Sequence, residues 1–309
     1  MYEYDKRVVL TLDAGGTNFV FSAIQGNNEM ISPIGLPAVS DNLDECLEVL
    51  VKGFDRVIAA IPVPPVAISF AFPGPADYEN GIIGDLPNFP SFRGGVALGP
   101  FLKHKYGIPV FIENDGNLFA YGEALSGALP MINRELSLAG CSREYKNLIG
   151  ITLGTGFGAG VVINKVLLTG DNGCGGDIWL MRNKKYPDML AEESVSIRAV
   201  RRVYSDLSGQ SSASLSPKDI YDIAEGIKEG DSHAAIASFN ELGIMAGAAI
   251  ASVLNVVDGL VVIGGGVAGA SKYILPALIT ELRAQLTTFS GNKFPCVSMQ
   301  VYNGDRKSV

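Results

Sequence analysis

Short apolar runs, each broken by glycine, proline or asparagine, set the rhythm of the first part of the chain. Val8-Val9-Leu10-Thr11-Leu12 predicts a buried strand and Phe19-Val20-Phe21-Ser22-Ala23-Ile24 a second one. Asp13-Ala14-Gly15-Gly16-Thr17-Asn18 between them is then a hairpin turn, not the opening of a helix. Over 41–54 the period changes, with Leu43, Leu47, Leu50 and Val51 at helical spacing and Asp41 as the expected N-cap. A strand over 66–72 ends at Pro73-Gly74-Pro75, and a loop dense in Pro, Gly and Asn follows over 76–99. Loops of that length inside compact domains are uncommon and are often functional. A helix over 100–106, a strand over 110–112 and a helix over 117–127 complete this half.

The second half begins as the first does. A strand over 148–153, a glycine-rich turn over 154–160 and a strand over 161–163 repeat the opening pattern. Thr11-Leu12-Asp13-Ala14-Gly15-Gly16-Thr17 and Thr152-Leu153-Gly154-Thr155-Gly156-Phe157-Gly158 therefore hold equivalent places in two related α/β domains. We expect these to be 1–117 and 118–309, divided between a strand and its following helix, with the last residues packing back on the first domain. Ser216-Pro217 opens a helix with serine at the N-cap and proline at N1. A helix over 233–257, a strand over 259–263, the run Gly264-Gly265-Gly266 and a helix over 271–286 follow.

Composition narrows the function classes. With 309 residues, 47% hydrophobic and 18% charged, the chain is too long for one small core and too apolar for disorder. A formal net charge of −8 without a basic cluster speaks against a nucleic-acid partner. Four scattered cysteines with no CxxC pair, and only two histidines, argue against a structural zinc site and a disulfide scaffold and fit a reducing cytoplasm. The polar start is unlike a signal peptide, and the longest apolar stretch, 242–257, is short for a bilayer span and closed by Glu241 and Asp258. We therefore expect a cytoplasmic protein with no membrane partner. Its 37 glycines exceed the average share of about 7% and point to loops that approach a ligand.

Four segments carry candidate chemistry. Asp13, Gly15, Gly16 and Thr17 offer a carboxylate, bare backbone N–H groups and a hydroxyl, the parts that hold polyphosphate with magnesium. A tight hairpin capped by Asp13 would explain the same residues. Gly154, Thr155 and Gly156 lie in a turn followed by a β-branched run, whereas a dinucleotide fingerprint must open a helix; phosphate binding is the better reading. Gly264, Gly265 and Gly266 lie between strand and helix, with no acidic residue at the distance a nicotinamide site requires. They fit adenine or ribose against bare backbone, or simply close helix–strand packing. In Glu113-Asn114-Asp115-Gly116-Asn117 a carboxylate at a strand end, flanked by amides, could accept a hydroxyl proton, although such residues also favour turns and N-caps.

Taken in order, Asp13-Ala14-Gly15-Gly16-Thr17, Phe72-Pro73-Gly74-Pro75, Pro87-Asn88, Asn114-Asp115-Gly116-Asn117, Leu153-Gly154-Thr155-Gly156 and Ile263-Gly264-Gly265-Gly266 resemble the ROK family of sugar kinases and repressors over nearly the whole chain. The resemblance implies an α/β fold of two ribonuclease H-like (actin-like ATPase) domains with a cleft between them. It implies ATP as phosphoryl donor and a sugar hydroxyl as acceptor, hence a glucokinase-like sugar kinase. Matched residue by residue, Asp115 is the catalytic base, Asn114 a sugar-hydroxyl ligand and Asn88 an asparagine of the sugar loop. Asp13, Gly15, Gly16 and Thr17 match the first phosphate loop, with Asp13 orienting magnesium indirectly. Gly154, Thr155 and Gly156 match the second, and Gly264, Gly265 and Gly266 the adenosine side.

The chain also departs from the family. Where the family has Glu-x-Gly-His, with Glu and His on the sugar, this sequence reads Gly176-Asp177-Ile178-Trp179-Leu180. Asp177 can replace the glutamate with shorter reach; the histidine is lost. The zinc element that follows in the family has no thiol here, so no zinc site is expected. The family's glutamate just beyond it matches Glu192, judged by Ser196 four residues on, with Glu193 a near rival. Trp179 could stack on a sugar or be an ordinary core or rim residue. Other readings stay open: a catalytically silent sugar-binding or regulatory member, or a kinase for fructose, allose or an N-acetylated amino sugar. Family repressors carry a DNA-binding helix-turn-helix before the first glycine turn, and twelve residues before Asp13 leave little room for one. A homodimer supported by the helix over 233–257 is expected, although burial in its own core explains that helix equally well.

Overall fold

The computed structural model describes residues 2–15, 18–85 and 89–304. Its contacts group the described residues into two compact units. One comprises Met1–Leu118, Leu125–Arg134 and Thr169–Gly173, and the other Phe119–Ala124, Glu135–Leu168 and Cys174–Val309. Two mixed sheets dominate, as the α/β expectation requires.

In the first unit, β1 (Val9–Ala14) pairs antiparallel with β2 (Asn18–Gln25), and both β3 (Asn28–Glu29) and β4 (Ile34–Pro37) pair with β2. Helix α1 (Leu43–Ala60) follows, then β5 (Ala67–Ala71), which returns parallel to β1. The hairpin β6 (Ala76–Asp77) and β7 (Ile82–Ile83), helix α2 (Leu98–Tyr106) and strand β8 (Val110–Glu113) complete the unit, with β8 parallel to β5. The main sheet runs β3-β2-β1-β5-β8.

Two expectations change here. Asn42, not Asp41, caps α1, because its side chain accepts the Glu45 N–H at 3.2 Å. The segment 76–99 is not a bare loop: it holds the hairpin and a 3-10 turn, Pro90–Phe92. Apolar burial is the reason. Phe89 and Phe92 are fully enclosed, with ring centroids 5.6 and 5.4 Å from Phe72. Phe19 stacks on Phe89 at 6.1 Å, and Phe21 meets Phe54 edge-on at 5.2 Å. Rings in these arrangements add about 0.5–1.5 kcal/mol per pair beyond area burial.

Helix α3 (Asp115–Leu125) begins two residues earlier than its apolar pattern predicts, because Asn114 caps it, and α4 (Ala128–Leu138) follows. In the second unit, β9 (Leu148–Leu153) pairs antiparallel with β10 (Phe157–Ile163), and β11 (Val166–Leu167) pairs with β10. Helices α5 (Ile197–Ser208), α6 (Pro217–Ala224) and α7 (Ser232–Val257) precede β12 (Leu260–Gly264), which lies parallel to β9, and α8 (Ser271–Leu282) follows. The order β11-β10-β9-β12 repeats β3-β2-β1-β5, so the repeat read from the two glycine turns is a repeat of topology.

The second glycine turn is shorter than expected: β10 starts at Phe157, leaving 154–156 as the turn and placing Gly158 and Gly160 in the strand. Helix α8 stops at Leu282, and Leu286 lies instead in the hairpin of β13 (Gln285–Thr287) and β14 (Lys293–Pro295), opposite Phe294. Among the described residues α7 alone is long and apolar enough to cross a membrane, yet more than half of its apolar stretch is buried in the core. Its length comes from packing against α5, α6 and α8.

Candidate active site

The register of the first sheet sets two of the candidate segments side by side. Asp13 of β1 is level with Ala71 of β5, and Ala71 is level with Glu113 of β8. These strands are parallel, so their carboxyl ends open on one edge, where ligands bind in open α/β sheets. With strands about 4.8 Å apart, the β1 and β8 ends are separated by roughly 10 Å. Asp13 is exposed, and its carboxylate has no hydrogen-bond or ion-pair partner among the described residues. Gly15 follows it; Gly16, Thr17 and Asn88 lie outside the described residues.

At the end of β8 the chain turns directly into α3, and most polar groups of the turn are paired, the buried Asn117 Oδ1 being without a partner among the described residues. Asn114 Oδ1 accepts the Gly116 N–H at 2.8 Å and the Asn117 N–H at 3.4 Å, serving as the N-cap. Glu113 Oε1 accepts from Asn114 N at 2.8 Å and Asn117 Nδ2 at 3.1 Å, locking the turn from the strand side. Asp115 Oδ1 accepts the Gly116 N–H at 2.8 Å, while Oδ2 has no partner among the described residues. One carboxylate oxygen is thus fixed and the other presented. The capping task also changes what Asn114 can offer, since only its Nδ2 donor remains for a ligand. Glu113 and Asn117 belong to the site as orienting residues; their signal was the spacing of four, which places them on one side of the first helical turn.

In the second unit the same geometry recurs. Gly264 of β12 is level with Thr152 of β9, so Gly154-Thr155-Gly156 and Gly264-Gly265-Gly266 leave the sheet at one edge. Gly265 has φ 89°, and a Cβ there would lie 2.7 Å from Leu153 N and closer still to Leu153 O. Backbone approach at this junction therefore requires glycine. At Gly156 the obstacle is different: a Cβ would lie 2.6 Å from Glu192 Oε2.

Glu192 is welded to this turn. Its Oε2 accepts the Phe157 N–H at 3.0 Å, and its Oε1 pairs with Arg198 at 3.1 Å. Arg198 also reaches Thr155 O at 3.4 Å and Glu193 at 3.3 Å, and the Glu192 carboxylate holds the guanidinium pKa above its ordinary value. Nothing in the motif order pointed to Arg198; its signal was the amphipathic helix opened by Ser196, which turns position 198 back toward the turn. Glu193 is the more exposed of the two carboxylates and leaves the turn to Glu192.

Asp177 lies just before a 3-10 turn, Ile178–Leu180. The indole Nε1–H of Trp179 donates to Asp177 Oδ1 at 3.1 Å, and the ring packs against the core of this unit. The lone tryptophan thus orients a carboxylate whose Oδ2 has no partner among the described residues. Leu180, at the place of the family's histidine, is half exposed. For zinc the donor set does not fit: residues 182–193 contain neither thiol nor imidazole, and no metal-sized group of His, Cys, Asp and Glu occurs among the described residues.

Two sheets of one topology, each opening a glycine turn at the carboxyl end of parallel strands, and an oriented aspartate at a helix start define a protein of the actin-like phosphotransferase class. A match to the ROK family spans residues 9–304, and the chain belongs to that family. The crystal structure of a glucokinase from Parabacteroides distasonis is similar, with 66% identity and a TM-score of 0.85, covering 91% of this chain and 79% of that one. The glucokinase of Thermotoga maritima is 26% identical over 290 residues, 88% of this chain and 86% of its own. A ROK family glucokinase from Streptomyces griseus, in complex with glucose and AMPPNP, shares the fold at 20% identity and a TM-score of 0.66, covering 89% of this chain and 88% of that one.

Proposed function

We propose that this chain is a glucokinase that transfers the γ-phosphoryl group of ATP to a glucose hydroxyl. The high identity to the Parabacteroides enzyme carries this reading, and the intact catalytic segments support it against a silent regulatory member. In the mechanism Asp115 accepts the hydroxyl proton on its open Oδ2 as the sugar oxygen attacks the γ-phosphorus. The bond from that phosphorus to the β,γ-bridging oxygen breaks, and ADP leaves. Asn114 Nδ2 donates to a sugar hydroxyl, while Asp177 Oδ2 and the remaining lone pairs of Glu192 accept from others. Asn88 belongs to the sugar loop in the same reading.

Backbone N–H groups of Gly15, Gly16, Thr155 and Gly156, with the Thr17 hydroxyl, hold the phosphates, Gly154 shapes the second turn by donating its N–H to Gly156 O at 3.1 Å, and Gly264, Gly265 and Gly266 accommodate adenosine. Magnesium, bound with ATP, neutralises charge on the phosphate oxygens. The exposed Asp13 carboxylate, without a partner among the described residues, fits this ion through water, because magnesium keeps several of its waters. Zinc has no place in this reading. We further expect a homodimer acting in the cytoplasm.

ATP turnover with magnesium, measured across glucose, fructose, allose, mannose and N-acetylated amino sugars, tests the proposal. Turnover fastest on glucose is expected. Preference for another sugar would replace the acceptor, and silence with retained sugar binding would favour a regulatory member. Trp179→Phe keeps the aromatic packing but removes the N–H that orients Asp177. Its glucose KM should rise about 3- to 10-fold, the worth of one hydrogen bond of about 1 kcal/mol made at a solvent-exposed carboxylate. Steady-state kinetics decide this, and an unchanged KM would release Asp177 from sugar binding.

A further inference from the structure

The segment after Asp177 and Trp179 leaves the core at Met181 and returns at Ala191, whose N–H donates to Met181 O at 2.7 Å. Between these points the loop surrounds one side chain. Asn183 is 2% exposed, and its carboxamide uses its full hydrogen-bonding capacity. Oδ1 accepts the N–H groups of Lys185 and Tyr186, each at 3.0 Å. Nδ2 donates to Leu190 O at 3.1 Å and to Ser194 Oγ at 2.8 Å. Its own backbone N–H donates to Met189 O at 3.0 Å. Both limbs of the loop are therefore tied to one point. The outer face is pinned separately: Lys184 pairs with Glu281 of α8, Lys185 with Glu241 of α7, and Arg202 lies 5.4 Å over the Tyr186 ring.

We propose that Asn183 is a positioning residue that takes over the task which the family resemblance gives to zinc. Through Ser194 it fixes the 3-10 turn Ala191–Glu193, and that turn holds Glu192 against Gly156 and the Phe157 N–H. At its base the same loop fixes the segment that presents Asp177. A carboxamide suits this place because it supplies two donors and two acceptors in one plane, where a metal would need thiolates this chain lacks. Its effect on sugar affinity rests on the glucokinase reading; its effect on Phe157 does not.

The test compares wild type with Asn183→Ala, Asn183→Asp and Ser194→Ala. It reads metal content, melting before and after a chelator, KM for glucose and for ATP, and amide hydrogen exchange. The wild type should hold no stoichiometric zinc and be unaffected by the chelator. Asn183→Ala removes all four bonds and should raise the glucose KM about tenfold, the part of that loss passed on to the sugar ligands being worth about one hydrogen bond, and leave the ATP KM within about threefold. Ser194→Ala, which removes a single bond, should move the glucose KM in the same direction by about threefold. Asn183→Asp keeps the oxygen that accepts the Lys185 and Tyr186 N–H groups but sets a buried carboxylate oxygen against Leu190 O, so its glucose KM should rise at least as much as that of Asn183→Ala. Exchange at the Phe157 N–H should speed up in Asn183→Ala, although Asn183 does not touch Phe157.

Stoichiometric zinc whose removal lowers the melting temperature would overturn the proposal, as would equal rises in both KM values or unchanged Phe157 exchange. Should Asn183→Ala fail to fold, an unchanged glucose KM and unchanged Phe157 exchange in Ser194→Ala would overturn it. A wild type silent on every sugar would sink the glucokinase reading alone, and metal content with Phe157 exchange would still decide the role of Asn183.

Discussion

Asp115→Asn should lower kcat roughly 10²–10⁴-fold, the contribution usual for a positioned general base. The substitution is close to isosteric, and the new Oδ1 can still accept the Gly116 N–H that holds Asp115 at 2.8 Å. Asn114 keeps its capping bonds, so α3 retains its start. What disappears is the basicity of the unpartnered oxygen, leaving nothing at that position to take a proton from the attacking hydroxyl. KM for ATP should stay near its wild-type value, because no nucleotide contact is assigned to Asp115. The defect should therefore appear in kcat and kcat/KM together, as for an interaction made only in the transition state. Steady-state rates with ATP and glucose, checked against the melting temperature, settle it. Ordinary turnover would remove Asp115 from the mechanism.

Gly265→Ala should destabilise the protein by about 3–5 kcal/mol, combining left-handed strain at a non-glycine residue with a steric conflict against backbone. The conflict cannot be relieved by rotating a side chain, because the added Cβ meets Leu153 N and O, part of the β9 backbone. Relief requires β12 and β9 to separate where Gly264 lies beside Thr152. For a unit of this size each kcal/mol corresponds to about 2–4 °C, so a melting temperature lower by on the order of 10 °C is expected. Gly266→Ala is the control, since a Cβ there meets nothing within 4 Å. Calorimetry of the two variants separates a backbone requirement at 265 from a general aversion to side chains in this run. Equal melting temperatures would contradict the steric account.

Much of this was legible in the sequence because it depends on local rules. The hairpin β1–β2 and its counterpart β9–β10 follow from β-rich runs flanking glycine, and the helix around Leu43, Leu47 and Leu50 follows from periodicity. Residues whose structural role is set at long range were not legible. Phe89 and Phe92 sit in a stretch rich in turn residues, and only burial beside Phe72 gives that stretch order. The cap of α1 moved from Asp41 to Asn42 because two adjacent residues have equal capping chemistry and backbone geometry chooses between them. Asn183 carried no signal, since a buried asparagine with four side-chain hydrogen bonds looks in sequence like any loop asparagine. The open and committed oxygens of Asp115, Asn114 and Asp177 likewise depend on hydrogen-bond direction, which spacing does not encode.

The doubled sheet order also bears on how the protein is made. In the first sheet the strand that returns beside the hairpin brings residue 67 to residue 9, whereas in the second it brings residue 264 to residue 152. A nascent chain can assemble the first sheet once residue 113 has emerged. The β9–β10 hairpin must wait for more than a hundred further residues before β12 covers its open edge. At about 5–20 residues per second that interval lasts on the order of 5–20 s, during which the unpaired edge of an apolar strand is open to the wrong partner. The glycine run at the end of β12 is thus among the last parts to find its neighbours. Chaperone demand and misassembly during synthesis should therefore centre on the second unit.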